Sequence, residues 1–231
     1  AVPELPLAIN LANLEIELAR FGPTVFGLES ELALQGRLRL EDGSLDTALE
    51  IQRLDGPGGQ LSLTAVYANE TQILDLDLAL SEPQDGVVAN LLDIEGRPPI
   101  DLTIAGAGPI SELDVELTLD ADAERVLTGL ATLRQQAEGL FFRTELGGPI
   151  ARLVPPQFRG FFGAQTALQA RGLFREEGGL TLETLEIESA ALTLQAVAET
   201  TSDWFLSRLE MSAVIDDGTG EPVVLPIPGG T

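Results

Sequence analysis

The strongest constraint on the fold is a strict alternation of apolar and polar residues between residues 99 and 120. This stretch reads PIDLTIAGAGPISELDVELTLD, and apolar side chains occupy every second position on both sides of GAGP. A period of two predicts β-strands with one apolar and one polar face. Gly and Pro between two such runs indicate a chain reversal. The stretch is therefore predicted to form an antiparallel pair, apolar on one side and acidic on the other.

The same alternation recurs along most of the chain and predicts an all-β, mainly antiparallel fold. Hairpin turns are predicted at residues 41–43 and 56–59. The apolar run from Leu180 to Ile187 skips one place at Glu183-Thr184, which predicts a β-bulge. Further strands are predicted at residues 5–9, 14–18, 28–40, 45–54, 61–67, 74–80, 126–133, 140–146, 165–174, 192–198 and 204–214.

A few short helices are predicted to separate the strands into groups. Residues 84–92 have helical spacing, and residues 150–154 are interpreted as a second short helix. Strand groups that each end in a helix are typical of a repeat. The predicted division is a first repeat at 1–92, a second at 93–162, a third, partial repeat at 163–214, and an irregular tail at 215–231.

The composition of the 231 residues excludes several classes of function. The formal net charge is −24, the pI is about 4.1, and all 13 basic residues are Arg. Such an acidic surface repels nucleic-acid phosphates and anionic membranes, so we expect no nucleic-acid partner. The chain has no Cys and no His, which excludes disulfides, thiolate or imidazole metal sites, and Ser-His or Cys-His nucleophiles.

No motif in the sequence predicts an enzyme, a metal site or a cofactor. The carboxylate pairs Asp75/Asp77 and Asp114/Glu116 each share one strand face, where charges are typical of a solvated surface. Residues 120–124 begin like a calcium loop but lack its glycine and terminal glutamate. Residues 56–59 are glycine-rich, yet no Lys follows them. We expect the chain to be non-catalytic.

Targeting segments are not visible in the sequence. No apolar run approaches the roughly 18 residues that a membrane-spanning helix needs, and Ala1 already lies in sequence typical of a folded region. We interpret the chain as a piece of a longer protein.

Two long phrases of the sequence resemble one known family. They are LRLEDGSLDTALEIQRLDGPGGQLSL at residues 38–63 and PPIDLTIAGAGPISELDVELTLD at residues 98–120. Together with the acidic, Lys-free strand pattern and the short helices, they resemble the TamB family, the AsmA-like translocation and assembly modules of bacterial envelopes. The resemblance covers roughly residues 28–214. It consists of the alternating strand pattern and its repetition, and it includes no catalytic signature.

The resemblance implies a fold, a location and a function. Family members form an elongated, folded-over β-groove, a β-taco, built of repeats of about five strands plus a short helix. They are anchored in the inner membrane, cross the periplasm, and act with an outer-membrane partner of the Omp85 class. They conduct phospholipid toward the outer membrane and support outer-membrane protein assembly. The regions for anchoring and docking would lie outside this chain.

Alternation and resemblance together predict which side chains contact lipid acyl chains. The expected lining consists of aliphatic residues from the clearest strands: Leu74, Leu76, Leu78, Leu80, Ile100, Leu102, Ile104, Leu113, Val115, Leu117, Leu119, Leu180 and Leu182. The alternation alone is equally compatible with a structural or interaction module, a β-sandwich or solenoid with a closed, dry core. A carrier that binds unfolded strands along an open sheet edge is a further alternative.

Overall fold

The computed structural model describes residues 8–216, 218–220 and 223, and it is an all-β protein. Within these residues, thirteen β-strands alternate with a few short helices, and consecutive strands are antiparallel in every pair described below. The predicted all-β, antiparallel class is therefore confirmed. The chain divides into two compact units, residues 1–124 and residues 125–231.

Unit 1 contains seven strands that pair strictly in chain order. Residues at facing positions stay aligned without a shift from the second strand to the sixth. Its elements are β1 (Ile9–Phe21), α1 (Pro23–Phe26), β2 (Ser30–Glu41), β3 (Ser44–Arg53), β4 (Gln60–Ala68), β5 (Ile73–Glu82), α2 (Val87–Leu91), β6 (Ile100–Pro109) and β7 (Glu112–Ala121).

Unit 2 contains the remaining strands, which also pair in chain order. Between its second and third strands lie two 3₁₀ turns, Ile150–Leu153 and Pro156–Phe158, followed by the one-turn helix α3 (Arg159–Phe162). The strands are β8 (Glu124–Gln136), β9 (Gly139–Gly148), β10 (Thr166–Arg175), β11 (Leu180–Glu188), β12 (Leu192–Thr200) and β13 (Leu206–Ile215).

Local turn chemistry accounts for the strand connections that the sequence predicted. In the turn between β2 and β3, Asp42 and Gly43 have φ values of 50° and 72°. Two successive positive φ values are the geometry of the tight hairpin turn that matches strand twist. The predicted bulge is also confirmed, because Arg171 faces Thr184 whereas Gly172 faces Leu182, which leaves Glu183 unpaired.

Several element boundaries differ from the predicted ones. The strands predicted at 5–9 and 14–18 are joined in β1, although residues 5–7 lie outside the described part of the chain. Helix α1 was not predicted; Pro23 begins it, and Gly27 ends it with a φ of 75°. The helix predicted at 84–92 is shorter, Val87–Leu91. The helix predicted near Ile150 is a 3₁₀ turn.

Short helical segments interrupt the run of strands: α1 follows β1, α2 follows β5, and the 3₁₀ turns and α3 follow β9. Five strands precede α2, four precede the 3₁₀ turns and α3, and four follow them within the described residues. The repeat boundaries at residues 92, 162 and 214 stay predictions.

Candidate functional site

The aligned register of unit 1 places aliphatic side chains in straight rows across the sheet. Each row takes one residue from each of the seven strands and runs perpendicular to them. The first row is Ile16, Leu34, Ile51, Leu61, Leu80, Leu102 and Leu119; the second is Leu14, Gly36, Leu49, Leu63, Leu78, Ile104 and Leu117. We call the side of the sheet that carries these rows the aliphatic face of unit 1.

Most of the predicted lining residues of unit 1 keep part of their surface accessible on this face. The half-buried ones are Leu74, Leu76, Leu78, Leu80, Leu102, Ile104, Val115, Leu117 and Leu119. Ile100 and Leu113 are different, since each is only 1% exposed. Their surface is already used in packing within the protein, so they contribute to the core and not to the accessible part of the face.

The opposite face of the same strands is polar and acidic. On β5, Asp75 and Asp77 are exposed while Leu74 and Leu76 are half-buried, and β7 repeats the pattern with Asp114 and Glu116 exposed. Charges on exposed strands keep a sheet hydrated and oppose edge-to-edge pairing. Unit 1 therefore presents two chemically distinct faces.

Unit 2 carries a comparable aliphatic face of its own, which includes Leu180 and Leu182. Both are half-buried. One row across the unit is Leu133, Phe142, Gly172, Leu182, Ala198 and Leu209; another is Gly129, Leu146, Leu168, Ile187, Leu194 and Ala213. We call this side the aliphatic face of unit 2.

Aromatic rings cover part of the face of unit 2. The ring of Phe142 lies over Gly172, where a Cβ atom would approach the ring to 2.9 Å. The Phe142 and Phe174 ring centroids are 5.0 Å apart, and those of Phe174 and Trp204 are 6.4 Å apart. The Thr181 carbonyl oxygen would lie even closer to that Cβ atom, so the neighbouring strand and the ring both favour glycine at position 172.

The aliphatic face of unit 1 ends in a row that contains two charged residues. Arg53 and Glu82 are 9% and 6% exposed and occupy the next inward position after Ile51 and Leu80. Sequence reasoning missed them as inward residues. Extending the period of two by one step on β3 and on β5 would have located both.

The charge of Arg53 is matched by fixed acceptors. Its Nε and Nη2 donate to the two carboxylate oxygens of Asp55 at 3.1 and 3.0 Å, and its Nη1 donates to the Asp85 carbonyl at 3.2 Å. Asp55 also accepts the backbone N–H of Glu31 at 2.7 Å. A bidentate ion pair of this kind is geometrically specific. Together with the bonds to Asp85 and Glu31, it connects three separate segments of the chain.

The carboxylate of Glu82 binds the start of helix α2. One oxygen accepts the backbone N–H of Val87 at 3.1 Å, and the other accepts that of Val88 at 2.7 Å. From the other end of the helix, the Asn90 side-chain amide donates to the Phe26 carbonyl of α1 at 2.9 Å. Helices α1 and α2 are thereby fixed over the charged end of the aliphatic face.

The ion pair gives a pH-dependent contribution to stability. The hydrogen bonds that the Asp55 carboxylate accepts from Arg53 are the main reason that the pKa of Asp55 is lowered from 3.8 to about 2. A carboxylate whose pKa is lower in the folded state than in the unfolded state stabilises the fold at pH values above its unfolded-state pKa. This contribution is lost as the pH falls through the folded-state pKa. For Asp55 this window lies between about pH 4 and pH 2.

We expect Asp55→Asn to be less stable than the wild type by about 2 kcal/mol at pH 7, since each pKa unit corresponds to about 1.4 kcal/mol. The difference should shrink as the pH is lowered from about 4 to 2. Urea unfolding of both proteins across this range measures it. Asp46→Asn, which removes an exposed ion pair with Arg37, is the control. A difference that stays constant down to pH 2 would contradict the assignment.

The helices and the acidic side chains of the described residues bear on two further kinds of site, a membrane span and a metal site. Among residues 8–216, 218–220 and 223, none of the helices has the length and apolar character needed to cross a membrane. The same residues contain no group of three or more Asp and Glu side chains arranged to hold a metal ion.

Comparisons with known proteins gave no match: no family model matches the chain, and neither a curated protein nor a solved structure is significantly similar to it.

Proposed function

We propose that this chain is a segment of a TamB-like envelope protein and conducts phospholipid by passive contact of acyl chains with its aliphatic faces. The observation that carries the proposal is the pair of aliphatic rows that cross all seven strands of unit 1 and remain partly accessible. Rows perpendicular to the strands offer a path along which a hydrocarbon chain passes from one strand to the next.

The free energy of hydrocarbon transfer favours such a path. An acyl chain in water exposes CH₂ groups that each cost about 0.8 kcal/mol. Seven strands spaced about 4.8 Å apart extend each row over roughly 29 Å, whereas one acyl chain spans about half of the roughly 30 Å hydrocarbon core of a bilayer. Each row therefore has the length of about two acyl chains.

The uniformity of the rows favours movement of a lipid along the aliphatic face over tight binding of the lipid at one position. Leu, Ile and one Gly occupy the two rows, and no charged side chain interrupts them. A lipid that moves between equivalent aliphatic contacts meets no single deep minimum. The acidic opposite face keeps the sheet hydrated and discourages association of its edges.

The wider setting follows from the resemblance to the TamB family. In this proposal the segment works in the periplasm as part of an inner-membrane-anchored protein. Phospholipid moves toward the outer membrane, and an Omp85-class partner binds regions outside this chain. Support of outer-membrane protein assembly belongs to the same proposal.

The test is native mass spectrometry of the protein purified from bacterial cells, together with extraction of bound lipid. We expect co-purified phospholipid. Leu76→Asp or Leu117→Asp should reduce the bound lipid about tenfold or more while the fold survives, because 1.4 kcal/mol of lost contact corresponds to tenfold. Circular dichroism and cooperative unfolding check the fold of each variant.

The matched control is Thr103→Asp, which adds the same charge on the acidic face of a neighbouring strand. Thr103 is exposed and faces Ala79 and Thr118 rather than a carboxylate. It should leave bound lipid unchanged. A lipid-free, cooperatively folded wild-type monomer would contradict the proposal and favour the structural module with a dry core.

A further inference from the structure

A small apolar cavity, largely open to solvent, lies beside helices α1 and α2 at the charged end of the aliphatic face. Its volume is about 160 Å³, and its apolar lining comes from both helices and from the ends of β2 to β5. The apolar side chains of this lining include Phe26, Leu32, Ile51, Leu61, Leu80 and Val88. Ile51, Leu61 and Leu80 are also the middle members of the first aliphatic row, so the cavity opens directly beside that row.

The two charged side chains that line this cavity, Arg53 and Glu82, already have partners. Arg53 donates to Asp55 and to the Asp85 carbonyl, and both carboxylate oxygens of Glu82 accept backbone N–H groups of α2. The buried side-chain atoms that lack a partner in the described residues, Ser30 Oγ and Arg175 Nε, do not line it. Because the lining is almost entirely apolar, it offers water few hydrogen-bond partners, and hydrocarbon that enters replaces this poorly bound water.

We infer that this cavity receives the methyl end of an acyl chain that lies along the aliphatic face of unit 1. The inference rests on the proposed function and adds a direction and an end point to it. The size of the cavity fits the last few carbon atoms of a chain and not a whole chain, since roughly 150 Å³ holds one benzene molecule.

The chemistry of the site excludes the lipid headgroup as the occupant. A phosphate would have to lie beside the carboxylates of Glu82 and Asp55, and three of the five N–H groups of Arg53 already donate to Asp55 and to the Asp85 carbonyl. Burying an unpaired anion is strongly unfavourable. The headgroup therefore lies away from α1 and α2, and the chain points toward them.

The roof of the cavity is held at two points, which makes it a defined stop. Glu82 fixes the start of α2, and Asn90 fixes its end to the carbonyl of Phe26. Val88 points into the cavity, whereas Leu91 on the same helix is 60% exposed. The two positions offer a matched pair of substitutions on one short helix.

The experiment uses two photoactivatable phosphatidylcholines that differ only in the position of a diazirine on the acyl chain. One carries it at the methyl end and the other midway along the chain. Each is loaded onto the whole protein, irradiated, and the cross-linked residues are identified by peptide mass spectrometry. We expect the methyl-end probe to label Phe26, Val87 or Val88, and the midchain probe to label Leu78 or Ile104.

Val88→Phe fills the cavity and should move the methyl-end label out of it, onto the aliphatic rows. Leu91→Phe should leave the labelling as in the wild type. If Val88→Phe does not fold, the two-probe comparison on the wild type still decides. Equal labelling of the rows by both probes, with none in the cavity, would overturn this inference alone. Absence of bound lipid and of any label would overturn the proposed function with it.

Discussion

Arg53→Ala is expected to lower the free energy of unfolding by about 3 kcal/mol, because it leaves the half-buried carboxylate of Asp55 and the Asp85 carbonyl without their hydrogen-bond donors. The side chain of Arg53 is only 7% exposed, and its loss removes both donors to Asp55 and the donor to the Asp85 carbonyl. Small domains are stable by only about 5–15 kcal/mol. Urea denaturation at pH 7 measures the change.

The control for this substitution is Arg37→Ala. Arg37 also pairs with a carboxylate, that of Asp46, but both side chains are about half exposed. Exposed pairs contribute at most about 1 kcal/mol, so the two losses should differ at least threefold. If Arg53→Ala prevents folding, Arg53→Lys, which keeps the charge without the two-pronged geometry, provides the measurement. Similar small losses at positions 37 and 53 would mean that the pair does not hold this end of the sheet.

Ile100→Ala is expected to cost about 2–5 kcal/mol of stability, the usual range for large-to-small changes in a core. Ile100 is 1% exposed, whereas Leu102, two places further along β6 on the same face, is half-buried. Leu102→Ala should therefore cost less stability but reduce bound phospholipid. Thermal or urea unfolding and native mass spectrometry, performed on both variants, separate the two effects.

The two positions serve as controls for each other. Per folded molecule, Ile100→Ala should bind as much lipid as the wild type, because its side chain has almost no accessible surface. Equal stability losses at both positions, or a loss of lipid confined to Ile100→Ala, would mean that the accessible surface lies elsewhere on the sheet.

Alternation in the sequence identifies the side of each strand that is aliphatic, but it does not show how neighbouring strands are aligned. Leu74, Leu76, Leu78 and Leu80 lie on one side of β5, as their alternation requires. Residues such as Leu34, Leu49 and Leu63 share their rows, yet they were left out of the predicted lining. Whether a residue belongs to a row depends on how neighbouring strands are aligned. The sequence of one strand contains no information about that alignment.

The alternation in sequence also does not predict which residues of the expected lining are buried. Ile100 and Leu102 have the same spacing, the same face and similar side chains. Ile100 is the first residue of β6, at the end of the sheet, and Ile94 in the preceding segment is also only 3% exposed, whereas Leu102 lies further along the strand. Short-range periodicity contains no information about such coverage.

The sequence by itself determined the strands, the turns between them and the side of each strand that is aliphatic, because a period of two and a positive-φ turn are properties of neighbouring residues. The tertiary structure alone decided that the aliphatic side chains form straight rows, that Ile100 is buried, and that Arg53 reaches a carbonyl 32 residues away at Asp85. These features depend on which backbone segments meet in space. Contacts of that kind are set by the free energy of the whole packed unit rather than by any local run of residues.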